Sequence, residues 1–245
     1  MFSIDLRVGN ILDLSTIDWP GRPAAVLFLS GCNFRCPFCF NGGLATGKTG
    51  NYISVEKIVE TLRKSKSLVN SVVITGGEPT IQNILPLCKR LKAEGFSVKL
   101  DTNGSRPEVV EKLIDERLID FVALDVKAPL ETAEYSRATG VDCTEHAEKV
   151  RHTLALLIRS GIDYECRSPI VPGINSDEQS LKKHAEGVKD AKVFVLEQFW
   201  PENGTLSPAL KNVKGLSRNE MIAVAKIFKN TVVKIRTREA GEEII

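Results

Sequence analysis

A nine-residue stretch near the N-terminus reads Gly31-Cys32-Asn33-Phe34-Arg35-Cys36-Pro37-Phe38-Cys39. Three thiolates this close together can hold three corners of a four-iron cluster and leave one iron without a protein ligand. The same spacing also fits one face of a helix, where three cysteines would be buried in a core. Pro37 would break such a helix, and Gly31 and Asn33 favour a loop. A zinc site is a second alternative, although structural zinc prefers four ligands and no fourth cysteine lies nearby. We therefore interpret the stretch as a metal-binding loop.

The composition is typical of a globular protein with a sizeable core. The 245 residues carry 33 Lys and Arg against 31 Asp and Glu, a net charge of +2. This balance does not indicate nucleic acid or a membrane surface as a partner, and no apolar run is long enough to span a bilayer. Without a signal-peptide pattern, we expect a cytoplasmic, reducing location, where clustered cysteines bind metals rather than form disulfides.

The other cysteines and the histidines show no metal-binding spacing. Cys88, Cys143 and Cys166 are single and far apart in the sequence, so each is expected to be a small buried residue. The three histidines fall in predicted helices and are expected at the surface; they are His146, His152 and His184. A second iron–sulfur centre is therefore not expected.

Short β-branched or apolar runs alternate with amphipathic segments along most of the chain. The predicted strands are residues 25–29, 72–75, 97–101, 121–125, 162–168 and 193–198. The predicted helices are residues 54–65, 84–93, 107–116, 147–160 and 176–188, with a further helix at 218–229 and a strand at 231–236. Ser54 and Ser176 are predicted as helix N-caps.

Strands that alternate with helices predict parallel strands joined by right-handed crossovers. Six such units predict an α/β fold, an incomplete (β/α)6 barrel of the TIM type. We expect one domain over residues 1–245, with a core at about 22–200, an N-terminal segment before it and a helix and strand after it.

Polar or glycine-rich residues follow the predicted strands at their carboxyl ends, where parallel α/β folds place functional groups. The cysteine loop follows the first strand, and Gly76-Gly77-Glu78-Pro79 follows the second. Asp101-Thr102-Asn103-Gly104 and Asp125-Val126-Lys127 end the third and fourth strands. An ordinary turn would also account for the glycine run, and solvation or pairing with lysines would account for the two aspartates, so the residues alone do not decide between these roles.

The cysteine loop and the Gly76–Pro79 run together resemble the two hallmarks of the radical S-adenosylmethionine (SAM) superfamily. The resemblance covers nearly the whole chain. It implies one [4Fe-4S] cluster on Cys32, Cys36 and Cys39, with SAM bound to the open iron. Reductive cleavage of SAM then gives a 5′-deoxyadenosyl radical.

The resemblance also implies roles for individual residues around the cluster. The residues expected to contact the nucleoside or methionine part of SAM are Phe38, Phe40, Gly76, Gly77, Glu78, Asn103, Lys127 and Arg167. A monovalent cation beside the SAM carboxylate is expected on oxygen ligands from Asp101, Thr102 and Asp125.

A narrower resemblance is carried by residues 15–21, the GCNFRCPFC loop, the two aspartate motifs and Gln198-Phe199. These look like glycyl-radical-enzyme activating enzymes, within which they are most similar to the anaerobic ribonucleoside-triphosphate reductase activating proteins. Histidine commonly follows the third cysteine there, whereas this chain has Phe40, so only a backbone contact carries over. The resemblance implies a glycyl radical enzyme as partner, with flavodoxin or ferredoxin as reductant.

Three other functions remain open at this point. A radical SAM enzyme of similar size can act on a small molecule, as 7-carboxy-7-deazaguanine synthase does, and a pyruvate formate-lyase-type activase is a further variant. A different class altogether is a non-enzymatic iron–sulfur carrier or a zinc module. Zinc content, or a cluster that does not respond to SAM, would indicate that class.

Overall fold

The computed structural model describes residues 4–142 and 144–245. Met1–Ser3 and Cys143 lie outside the described residues, so the burial expected for Cys143 stays a prediction. The chain forms two compact units, and each is built from separate stretches of sequence. The first unit contains Met1–Asn33, Gly43–Thr102 and Glu108–Ala123; the second contains Phe34–Gly42, Asn103–Pro107 and Leu124–Ile245. The prediction of a single domain is not tested by this division.

Strands and helices alternate over the described residues. The strands are β1 (Asp5–Ser15), β2 (Ala24–Leu29), β3 (Asn51–Ser54), β4 (Ser71–Gly76), β5 (Ser97–Thr102), β6 (Phe121–Asp125), β7 (Asp163–Ile170), β8 (Val193–Gln198), β9 (Val232–Thr237) and β10 (Gly241–Ile244). The helices are α1 (Gly42–Ala45), α2 (Val55–Lys64), α3 (Leu85–Ala93), α4 (Pro107–Asp115), α5 (Thr132–Thr139), α6 (Thr144–Ser160), α7 (Glu178–Gly187) and α8 (Arg218–Ala225). None of these helices, within the residues described, is long and apolar enough to cross a membrane.

In the first unit the strands lie in the order β5-β4-β2-β1-β3. β2, β4 and β5 are parallel, whereas β1 runs antiparallel to both β2 and β3. The parallel strands are almost entirely buried, which explains their continuous apolar sequences. Ser54 caps α2 as predicted, because its side chain accepts a hydrogen bond from the Lys57 amide at 3.3 Å.

In the second unit the strands β7, β8 and β9 are parallel neighbours, and β10 adds an antiparallel edge to β9. The helix α7 has its N-cap one residue later than predicted. Its N-cap is Asp177, whose carboxylate accepts a hydrogen bond from the Ser180 amide at 2.9 Å, so the assignment of Ser176 was wrong. A carboxylate at this position is also favoured by the helix dipole.

The predicted α/β class and the open, incomplete sheet are confirmed. β3 and β10 each pair with a single strand in the part of the chain that is described, so the sheet is not closed. The sheet is mixed rather than wholly parallel, because β1, β3 and β10 are antiparallel additions that the sequence did not predict. β6 spans the residues predicted for it.

One arginine joins four strands of the second unit. Arg236 on β9 donates to Glu165 on β7 at 3.0 Å, to Glu197 on β8 at 3.2 Å and to Glu242 on β10 at 2.8 Å. Glu165 is only 3% exposed, so its ion pair with Arg236 compensates the cost of burying the carboxylate. The planar guanidinium, with five N–H donors, suits this arrangement better than an ammonium would.

The expectation that all three histidines lie at the surface was wrong for His184. This residue is fully buried on α7, with the rings of Phe194 and Phe228 at 5.3 and 5.9 Å between centroids. Burial lowers the pKa of His184 to about 3, because the charged imidazolium is poorly solvated among aromatic rings. His152, by contrast, is exposed as expected.

We predict that this histidine makes the fold less stable in mild acid. The folded pKa lies below the unfolded value of about 6.5, so the unfolded chain binds more protons as the pH falls below that value. Between pH 7 and pH 5 the free energy of unfolding should fall by about 2 kcal/mol more in the wild type than in His184→Leu. Denaturant unfolding at the two pH values measures this difference, with His152→Leu as the control that should follow the wild type. Equal losses in the wild type and His184→Leu would contradict the prediction.

Candidate active site

In the first unit, the glycine run packs directly on the backbone that leads into Cys32. The amide of Glu78 donates to the carbonyl of Gly31 at 2.8 Å. A Cβ on Gly77 would lie 2.0 Å from that same carbonyl oxygen, and one on Gly76, with φ +115°, would lie 2.3 Å from the Leu29 carbonyl. Only glycine allows so close an approach. The two sequence motifs therefore meet, and the glycines are needed for contacts within the chain itself.

The Cys32 segment is also held from its other side. The amide of Gly31 donates to the Leu44 carbonyl at 2.7 Å, and the amide of Cys32 donates to the Ala45 carbonyl at 3.1 Å. Both acceptors belong to the short helix α1. Backbone contacts on both sides fix the position from which the thiol of Cys32 projects.

Glu78 is fully buried and joins the glycine run to the end of β5. Its Oε1 accepts hydrogen bonds from the Thr80 amide at 3.0 Å, the Thr80 hydroxyl at 2.6 Å and the Thr102 hydroxyl at 2.7 Å. Several donors on one carboxylate oxygen compensate the cost of burying it. Glu78 thus has a structural role in this unit, and its predicted contact with SAM stays a prediction.

In the second unit, Cys36 and Cys39 lie on one turn, in which the Cys39 amide donates to the Cys36 carbonyl at 3.0 Å. The flanking backbone is bonded to α5 and to a later loop: Arg35 N donates to Thr139 O at 2.8 Å, and Ser207 N donates to Pro37 O at 2.8 Å. The stretch is not helical, so a buried helix face is excluded. Neither thiol is in a disulfide.

Two cations and a carboxylate accompany these thiols. Lys127 donates to Oδ2 of Asp125 at 2.8 Å, and Arg167 donates to Oδ1 at 2.9 Å. Burial would raise the pKa of Asp125, but Arg167 and Lys127 outweigh it and hold the pKa at about 2. The carboxylate is therefore charged at neutral pH. Pairing with a lysine, one of the roles that the sequence left open for the two aspartates, agrees with this contact.

Lys127 also acts electrostatically on the two thiols. Burial raises the pKa of Cys39, and the charge of Lys127 opposes that rise. Burial would lower the pKa of Lys127, but Asp125 and then Cys36 raise it. Because thiolates rather than thiols bind iron, a neighbouring ammonium favours the form that a cluster requires.

A buried tyrosine completes this part of the second unit. Tyr135 on α5 packs edge-on against Phe34, with ring centroids 6.3 Å apart, and its hydroxyl has no hydrogen-bond partner among the described residues. Burial raises the pKa of Tyr135, the charge of Lys127 opposes that rise, and Cys36 adds to it. A buried hydroxyl without a hydrogen-bond partner, near the Lys127 cation and the Cys36 thiol, fits a site that receives an additional group.

The remaining predicted contacts are placed as follows. Asn103 is buried, and its Oδ1 accepts from the Ser105 amide at 3.0 Å in a local turn. Phe38 is buried, whereas the side chain of Phe40 is 66% exposed. Within the described residues no three His, Cys, Asp or Glu side chains are grouped for a metal ion; Cys32 belongs to the first unit, and Cys36 and Cys39 to the second. The full ligand set therefore stays a prediction.

Sequence reasoning missed one residue of the first unit. Lys99 on β5 has no exposed side-chain surface, and its ammonium donates to Oδ1 of Asp101. The signal was present in the sequence, because a lysine stands between Val98 and Leu100 inside an apolar strand, two residues before an aspartate. Alternate residues of a strand lie on the same face, so the side chains of Lys99 and Asp101 are neighbours.

Several known proteins are similar to this chain. The sequence profile of the Radical SAM superfamily matches residues 26–186. A protein of Methanocaldococcus jannaschii, provisionally described as a glycyl-radical enzyme activating enzyme, is 36% identical over 97% of this chain and 98% of its own length. The 7-carboxy-7-deazaguanine synthase of Methanopyrus kandleri is 30% identical over 73% of this chain and 84% of its own length. The structure of TYW1 with a lysine-pyruvate adduct bound superimposes with a TM-score of 0.67 at 21% identity, over 89% of this chain and 77% of that one.

Proposed function

Because the chain belongs to the radical SAM superfamily, we propose that it is the activating enzyme of a glycyl radical enzyme. Such an oxidoreductase removes a hydrogen atom from one glycine of its partner protein. The observation that carries the proposal is the likeness to the Methanocaldococcus jannaschii protein, which runs over 97% of this chain and 98% of the relative. The match therefore extends over nearly the full length of both sequences.

Members of the superfamily bind a [4Fe-4S] cluster and SAM. In this chain Cys32, Cys36 and Cys39 would hold the cluster. When bound, the cluster supplies the electron that cleaves SAM to methionine and the 5′-deoxyadenosyl radical. The contacts proposed for SAM are those predicted from the sequence, on Phe38, Phe40, Gly76, Gly77, Glu78, Asn103, Lys127 and Arg167.

Residues of this chain favour the thiolate form of Cys36 and Cys39 and exclude water from their surroundings. Lys127 places a positive charge near Cys36 and Cys39, and Asp125 holds that ammonium at 2.8 Å. Phe34 and Tyr135 are buried against each other and fill space with aromatic rings rather than solvent. Exclusion of other hydrogen donors matters, because a primary carbon radical would react with any of them.

The partner that we propose is the anaerobic ribonucleoside-triphosphate reductase, with flavodoxin or ferredoxin as the electron donor. Support comes from the motifs at residues 15–21, the cysteine loop and Gln198-Phe199. The second candidate is an enzyme that acts on a small heterocycle. The 30% identity to a 7-carboxy-7-deazaguanine synthase favours it, although the match covers less of this chain than the activating-enzyme relative does.

We expect the reduced, cluster-loaded protein to generate a glycyl radical. With SAM and an anaerobic ribonucleotide reductase, electron paramagnetic resonance should show the doublet of a glycyl radical, because hydrogen abstraction leaves the unpaired electron on the glycine Cα. A reductase variant without the radical glycine is the control and should show no doublet. SAM cleavage without a doublet on this reductase or on a pyruvate formate-lyase, together with turnover of a small heterocycle, would favour the second candidate.

A further inference from the structure

A lysine is buried where the sequence predicts a monovalent cation. Lys99 has no exposed side-chain surface, and an ammonium is almost never buried so completely unless it is paired. Its partner is Asp101, the first of the three residues expected to hold the ion. We propose that the Lys99 ammonium takes the place of that ion, so that SAM binding needs no dissolved Na⁺ or K⁺. This inference rests on the proposed function, since it concerns how SAM is bound.

The Lys99 ammonium lies among apolar side chains and hydrogen-bonds to Asp101. Residues 99 and 101 stand on the same face of β5, and Lys99 lies opposite Val73 of the neighbouring strand β4. The Phe121 ring is 5.9 Å from the ammonium, and Phe121 packs against an apolar cluster that includes Val73. A ring face attracts a cation, but apolar neighbours accept no hydrogen bond. Asp101 is therefore the charged group that makes burial of this lysine tolerable.

The charges explain why an ion becomes unnecessary. A monovalent ion beside Asp101 would bring one positive charge to the carboxylate of SAM, and the Lys99 ammonium already brings one. A tethered ammonium has three N–H donors and loses little entropy on binding, because the strand holds its stem in place. In the second unit, the predicted ligand Asp125 is likewise paired with the cations of Lys127 and Arg167. Both aspartates are thus paired with lysines, one of the roles between which the residues alone did not decide.

The experiment measures SAM binding to the cluster-loaded protein by equilibrium dialysis with labelled SAM. The buffer contains NaCl, KCl or choline chloride at one ionic strength, since choline is too large to replace a bound alkali ion. For the wild type we expect the Kd to change less than about twofold between the three salts. For Lys99→Met we expect the Kd in choline to rise about tenfold, which corresponds to about 1.4 kcal/mol, and to return toward the wild-type value in Na⁺ or K⁺.

Two further variants make the result specific. Lys92→Met removes another lysine–aspartate pair of the first unit, on the partly exposed surface, and should bind SAM like the wild type in every salt. The double variant Lys99→Met/Asp101→Asn leaves no buried charge unpaired, so it remains informative if the single variant does not fold. It should bind SAM with no response to Na⁺ or K⁺, because no carboxylate remains to hold an ion.

Two outcomes would overturn the inference. One is a wild-type Kd that rises tenfold or more in choline, because a dissolved ion would then be required. The other is a Lys99→Met variant that binds SAM in choline as tightly as the wild type does. Failure of the proposed function looks different: the wild type would bind SAM in all salts but generate no glycyl radical, or would not bind SAM in any salt.

Discussion

Replacement of Cys36 by alanine should abolish SAM cleavage by the cluster-loaded, reduced protein. Loss of a residue that merely supports a metal ligand costs about 10- to 100-fold in metal affinity or activity, and loss of a ligand should cost more. Cys36 is buried on the turn that also carries Cys39. We expect iron and sulfide contents to fall together with the formation of 5′-deoxyadenosine.

The matched control is Cys88→Ala, which also removes a buried cysteine that is in no disulfide. Cys88 lies on α3 in the first unit, and burial raises the pKa of its thiol to about 12. A thiol in such an apolar place is not a metal ligand at neutral pH. This variant should keep its iron and its activity, with at most a small loss of stability. If Cys36→Ala still cleaved SAM at a rate near that of Cys88→Ala, the assignment of the cluster loop would be wrong.

Replacement of Gly77 by alanine should reduce SAM cleavage about a hundredfold. The new Cβ would lie 2.0 Å from the Gly31 carbonyl oxygen and 3.3 Å from the Cys32 amide, so the backbone beside Cys32 must move. A displacement of about 1 Å in a catalytic arrangement can cost about 10²-fold in rate. Overpacking of this kind also lowers the free energy of unfolding by about 1–3 kcal/mol. Iron content, 5′-deoxyadenosine formation and denaturant unfolding measure the three effects.

Gly187→Ala tests whether the position, rather than the added methyl group, is responsible. Gly187 ends α7, and the nearest atom to its added Cβ would be Leu130 Cγ at 4.0 Å, an ordinary contact. Alanine in place of a helical glycine should stabilise the fold by up to about 1 kcal/mol and leave SAM cleavage unchanged. Equal effects of Gly77→Ala and Gly187→Ala would contradict a role for the close backbone contact at Gly77.

The fold could be predicted where the sequence pattern is set by burial. β2, β4, β6 and β8 are continuous apolar runs, and the helices between them are amphipathic, so the repeated α/β pattern was visible. β1 was missed because it is long, twisted by bulges and half exposed, and its residues do not form an apolar run. The short edge strands β3 and β10 were missed for a similar reason, because they too are largely exposed and form no apolar run. Edge strands are specified mainly by their neighbours, which a local sequence pattern does not include.

The site was predictable in its residue types but not in its contacts. The loop character of the cysteine stretch follows from Gly31 and Pro37, and the structure confirms it. Gly77 must be glycine because it packs against the backbone of Gly31, 46 positions earlier in the chain. No local sequence pattern shows such a contact. Tyr135 was missed because α5 itself was not predicted. Lys99 was visible in the sequence, but lysines are ordinarily expected at the surface.

Arg236 has a consequence for how this sequence can change over generations. Its one guanidinium serves three glutamates on three strands, so a substitution there would leave Glu165 buried and uncompensated. Loss of the arginine should be tolerated only after Glu165 has become neutral, while the reverse order passes through an unstable intermediate. The end of the chain should therefore accept mutations in a preferred order, a case of epistasis imposed by one shared side chain.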